Sequence, residues 1–112
     1  MKINLKSRLY DELVISENVS QKFKGEPFWE LYYRGEAGAL AFVLGLVHDK
    51  VVDPHIQIEE QKLYYTRIDD RERLENRQEC PTARNAAGWL SGLSIAERIM
   101  RVWEYWNEEE DR

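Results

Sequence analysis

The amino-acid sequence predicts an α+β domain, a small antiparallel sheet packed by one internal helix and two C-terminal helices. Three observations lead there. Phe28 to Arg34 places Trp29, Leu31 and Tyr33 at one parity and Phe28, Glu30 and Tyr32 at the other, an aromatic-rich alternation suited to a strand. Ile56-Gln57-Ile58 and Leu63 to Ile68 flank the polar Glu59-Glu60-Gln61-Lys62, the pattern of a hairpin with a four-residue connection. Ser94-Ile95-Ala96-Glu97 matches a capping box and starts a helix whose Ile95, Ile99, Val102 and Trp106 share one face.

The remaining elements follow in chain order. Residues 3 to 15 fit period two with gaps through Ile3, Leu5, Leu9, Leu13 and Ile15, and also a helical spacing through Leu5, Leu9 and Leu13; the strand reading is taken. Turns are expected at Lys24-Gly25-Glu26-Pro27, at Gly35-Glu36-Ala37-Gly38, at Asp53-Pro54 and from Asn76 to Pro81. Ala39 to Val47 suits either a strand covered on both faces or a buried helix, and its Ala content with Glu36 near the start favours helix. Arg67 to Glu79 reads as a solvated loop or short exposed helix, because nine of its thirteen residues are charged. A short helix from Pro81 to Leu90, closed by Gly92, precedes the capped one, with Trp103 beside the capped helix's inner face and Arg98, Arg101 and Tyr105 turned away.

A chain of 112 residues has the size of one domain, 1–112, ending in a short acidic segment of about 107–112. With 43% hydrophobic and 12% aromatic residues it is too apolar for intrinsic disorder. Cys80 is the only cysteine, which excludes an intrachain disulfide and fits a reducing, cytoplasmic setting. Polar residues interrupt the N-terminal apolar positions, so no export signal is expected, and the longest apolar run, nine residues from Ala39, is too short for a membrane span. Glu104, Glu108, Glu109, Glu110, Asp111 and Arg112 together carry −4 of the net charge of −5. An acidic end is usually a solvated one.

Candidate chemistries are few. His48, Asp49, Asp53 and His55 offer imidazole and carboxylate ligands of the kind a metal-dependent hydrolase or nuclease uses, although the segment contains Pro54 and lacks the helical His spacing of zinc sites. A turn formed by Asp53 and Pro54 is the simpler reading. Gly35, Gly38 and Gly45 match no phosphate-binding pattern. Cys80 has no histidine next to it in sequence and reads as structural. The paired acids Asp11-Glu12, Glu59-Glu60 and Asp69-Asp70 read as exposed. Arg67, Arg71, Arg73, Arg77 and Arg84 suggest a nucleic-acid stripe over 67–84, but acidic neighbours pair with them and make nucleic acid a poor partner.

The doublets Tyr32-Tyr33 and Tyr64-Tyr65 are more informative, since exposed Tyr and Trp anchor protein interfaces. The expected function is therefore non-enzymatic protein binding, as in a small inhibitor, an immunity or antitoxin-like protein or an accessory subunit. Tyr32, Tyr64, Tyr105 and Trp106 are the expected anchors, and Glu108, Glu109 and Glu110 would steer a basic protein partner. No cofactor and no membrane contact are expected, and a second copy is an admissible partner.

Overall fold

The computed structural model of the protein describes residues 4–75 and 80–110, with side chains described as far as Tyr105. It overturns the α+β expectation. The described residues form four helices, α1 (Leu5–Lys22), α2 (Pro27–His48), α3 (Pro54–Leu74) and α4 (Pro81–Glu110), and no strand.

Each correction has a cause visible in the structure. All three prolines of the chain, Pro27, Pro54 and Pro81, stand at the start of a helix, where the missing N–H is no loss and the fixed φ is already helical. The predicted strand Phe28 to Arg34 is the opening of α2. There Glu30 accepts from Arg34 Nη2 at 2.7 Å, one turn on, and from the Gly25 N–H at 3.2 Å, just before the helix. The Gly35–Gly38 turn does not form, and α2 runs on through Ala39 to Val47, the segment expected to be helical. The hairpin is also absent: Ile56 to Ile68 lies within α3, and Lys62, placed in the hairpin connection, reaches across to Glu97 of α4. The N-terminal segment is helical, with Asn4 Oδ1 capping the Ser7 N–H at 3.1 Å. Of the two expected C-terminal helices there is one, because Gly92 and Ser94 lie inside α4 and Glu97 is committed to Lys62 and Arg101.

The connections are short. Phe23 to Glu26 turns through Gly25 at φ +94, a conformation glycine adopts without strain. Between α2 and α3 the chain turns at Lys50, φ 54, whose N–H and that of Val51 return to carbonyls of the last turn of α2. Asn76 to Glu79, within the last expected turn, lie outside the described residues.

Packing centres on α2 and α4. A Cβ built on Gly88 would strike the Tyr32 carbonyl, and one on Gly92 would lie 2.5 Å from the Glu36 carbonyl oxygen and 2.7 Å from Ala39 Cβ. These matches rise together along both helices, so α2 and α4 are parallel and nearly touch at the backbone. On the other side of α4, His55–Glu104, Lys62–Glu97 and Tyr65–Trp89 set α3 antiparallel to it. α1 rests mainly against α2, and the described parts of α1 and α3 do not approach one another. The result is a flattened up-down-up-down bundle, 51 × 29 × 21 Å, whose short diagonal is the α2–α4 pair.

Its core is modest: Leu9, Leu40, Val43, Ile58, Leu93 and Met100 are the large apolar side chains fully enclosed, with Ala39 and Ala96 filling the close crossing. The predicted inner face of the last helix is displaced from this core. Ile95 and Ile99 are half-buried and Val102 is half-exposed, and with Arg8, Glu12 and Arg98 they line an open groove between α1 and α4. The Glu36 carboxylate joins three helices, accepting from Ser16 Oγ at 2.7 Å and Ser91 Oγ at 3.0 Å. No helix of the described residues is long and apolar enough to cross a membrane.

Candidate protein-binding surface

The start of α2 explains why aromatic rings collect at one end of the bundle. Phe28, Trp29, Tyr32 and Tyr33 are two i, i+4 pairs, so helical geometry brings together what strand alternation would have split. Trp29 lies edge-on to Phe28 at 4.8 Å and to Tyr32 at 6.0 Å between centroids, and Tyr32 meets Tyr33 at 5.1 Å. Phe23, from the end of α1, stacks on Tyr33 at 5.7 Å. Phe28 carries the Arg84 guanidinium 3.3 Å above its ring, tying the group to the first turns of α4. Trp29 remains 42% exposed.

Next to this group, Leu31, Tyr64, Tyr65 and Ile68 form the apolar side of a shallow groove whose rim is Pro81, Thr82 and Asn85. Tyr65 stacks on Trp89 at 4.6 Å, while Tyr64, edge-on to Tyr65 at 4.9 Å, is 57% exposed. Burial and then the neighbouring Tyr64 raise the Tyr65 hydroxyl above its ordinary value near 10. The folded state thus favours neutral Tyr65, and this contribution is complete below the unfolded pKa and lost as pH rises through the folded one. Wild-type stability is expected to fall above pH 10 more steeply than that of Tyr65→Phe, as checked by urea unfolding across that range. Parallel curves would remove Tyr65 as the cause.

The expected anchors are therefore only partly assembled. Tyr32 and Tyr64 reach the same end of the molecule, Tyr32 half-buried among its neighbours and Tyr64 open. Tyr105 is 58% exposed but stands 17 residues beyond Gly88, which touches Tyr32, or about 25 Å along α4. The side chains of Trp106, Glu108, Glu109 and Glu110 lie outside the described residues. Sequence reasoning missed Trp29, Phe28 and Phe23, although the 28, 29, 32, 33 spacing was available as a helical pattern.

The other candidate chemistries are dispersed. His48 borders a groove with Lys6, Tyr10 and Asp11, Asp49 ends α2, Asp53 precedes α3, and His55 binds Glu104 at 2.7 Å. Among the described residues no three His, Cys, Asp or Glu side chains converge as a metal site. Arg73 pairs with Asp69 at 3.0 Å, Arg71 lies 3.6 Å from Glu72, and Arg84 is turned onto Phe28, while Arg77 is outside the described residues. Cys80 precedes α4 with its Sγ 3.4 Å from both Glu72 Oε2 and the Ala83 N–H, a structural cap.

The chain matches no known protein family, curated protein or solved structure. Any functional reading therefore rests on the surface itself.

Proposed function

We propose that the protein is a non-enzymatic binding module for another protein, an inhibitor, immunity or antitoxin-like protein or accessory subunit, that docks through its aromatic end and acts by occlusion or bridging. The observation that supports this reading is the ring cluster at the start of α2, in which a half-exposed tryptophan is held by rigid aromatic neighbours beside the open Tyr64 groove. Such side chains bury large areas while freezing few rotors, which is why they dominate interface energetics.

The acidic end of α4 supplies a second contact. Tyr105 stands about 25 Å along α4 from Gly88 at the aromatic end, a span comparable with the roughly 30 Å footprint of one partner. A basic partner would be drawn by the carboxylates and retained by the rings.

The test uses the full chain as bait in lysate, with captured proteins identified by mass spectrometry and their affinity then measured. Trp29→Ala and Tyr32→Ala are each expected to weaken the stoichiometric partner by roughly 30-fold while leaving the helical circular dichroism intact. Undiminished binding by both folded variants would move the function away from this end of the bundle.

A further inference from the structure

α3 is apolar on two sides. Ile58 faces the core, yet Ile56, Leu63 and Leu74 are 56%, 57% and 87% exposed on the other side. They belong to the series Ile56, Glu60, Leu63, Arg67, Asp70, Leu74, exposed throughout and spaced alternately four and three residues apart, the repeat of a two-helix seam. The charges along this face are not mixed evenly. Its first half exposes Glu59 and Glu60, and its second half exposes Arg67, Arg71 and Arg73 with Asp70. Among the described residues neither Glu60 nor Arg67 has an ion-pair partner.

A face that is acidic at one end and basic at the other complements itself when turned end over end. We infer that the occupant of this face is a second copy of the same chain, with the two α3 helices antiparallel about a two-fold axis near Tyr64. In that register Ile56 of each copy packs on Leu74 of the other, the Leu63 side chain lies along the Arg67 stem, and the two Tyr64 rings meet at the axis. Glu59 faces Arg73, and Glu60 sits between Arg67 and Arg71. Asp70 opposite Glu60, which the two-fold axis repeats once on each side, is the one unfavourable kind of match. A parallel pairing sets acid against acid and arginine against arginine, so the charge order selects the antiparallel one. Two-fold interfaces require this self-complementarity.

The seam is one helix long, about 30 Å, and narrow, which places it below the standard interface and makes the association weak, with Kd on the order of tens of micromolar. This goes beyond the binding of a foreign partner proposed above, and it does not use Trp29 or Tyr32.

Sedimentation velocity of the full chain over roughly 5 to 500 µM tests it. The wild-type protein should pass from monomer to dimer across that range. Glu59→Lys with Glu60→Lys in one chain, and Arg67→Glu, Arg71→Glu and Arg73→Glu together in another, should each raise Kd at least tenfold, because both halves of the seam then oppose mainly like charges. An equimolar mixture of the two variants should dimerise again, since both seams of the mixed pair oppose unlike charges, and a folding defect cannot produce that recovery. A wild-type chain monomeric throughout, variants that dimerise as the wild type does, or a mixture that stays monomeric would each overturn the inference.

Discussion

Gly88→Ala is expected to destabilise the protein by about 3 kcal/mol or more, although alanine is the better helix former by about 1 kcal/mol. The added methyl would occupy the position of the Tyr32 carbonyl and come within 3.0 Å of the Glu36 amide nitrogen, so what must move is backbone and not the end of a flexible side chain. Relief requires α2 and α4 to separate, which loosens Ala39, Leu40, Val43, Leu93 and Ala96 together. Gly45→Ala is the matched control on the same helix pair. A Cβ there meets nothing within 4 Å, and the substitution should stabilise by roughly 0.5–1 kcal/mol through helix propensity alone. Urea unfolding midpoints measure both. Changes of the same sign would mean that the two helices are farther apart than the Gly88 contact requires.

Ile58→Ala should cost about 3–4 kcal/mol, with the loss concentrated in one helix. Ile58 is the only fully buried apolar side chain that α3 supplies; its other buried residue is Glu72. Other ties of α3 to α4 include the Lys62–Glu97 and His55–Glu104 pairs, the Tyr65–Trp89 stack and, just before α4, the Cys80–Glu72 contact; each ion pair has at least one partly solvated partner. Partly exposed ion pairs contribute little, so removing the one enclosed anchor leaves α3 held by interactions water can replace. Amide hydrogen exchange should quicken throughout α3 while α1, α2 and α4 stay protected. Loss of protection in all four helices at once would show instead that the bundle unfolds as a single unit.

The errors in reading the sequence share a physical origin. Glycine and alternating aromatics suggest turns and strands, but Gly35, Gly38 and Gly92, expected at turns or a helix end, sit inside helices at the sites of closest approach between α2 and α4, as Gly88 does. Their cost in helix propensity is offset by a contact 50 or more residues away, which no local window contains. Lys50, in the left-handed region at the end of α2, gave no sign of the turn that glycine or asparagine would have given. The parts that were legible depended on local chemistry: the helix over Ala39 to Val47, the turns before Pro27 and Pro54, the helix start at Pro81, and the outward placement of Arg98, Arg101 and Tyr105. In the candidate surface, Tyr64 is exposed as expected, but through its place on the outer side of α3 and not through the strand alternation that the expectation assumed. The cluster around Trp29 was not legible, because membership depended on whether the segment repeats every two residues or every 3.6.

The parallel α2–α4 crossing also bears on how the molecule forms in time. Its central contacts join residues such as Tyr32 and Gly88, with all of α3 intervening. Synthesis delivers α1 and α2 long before the glycines of α4 emerge, so the hairpin of the first two helices must wait with its inner face uncovered. Closing so long a loop costs chain entropy before any contact compensates it, which makes this bundle a slower folder than its helix content suggests and leaves Leu40 and Val43 open to a chaperone in the interval.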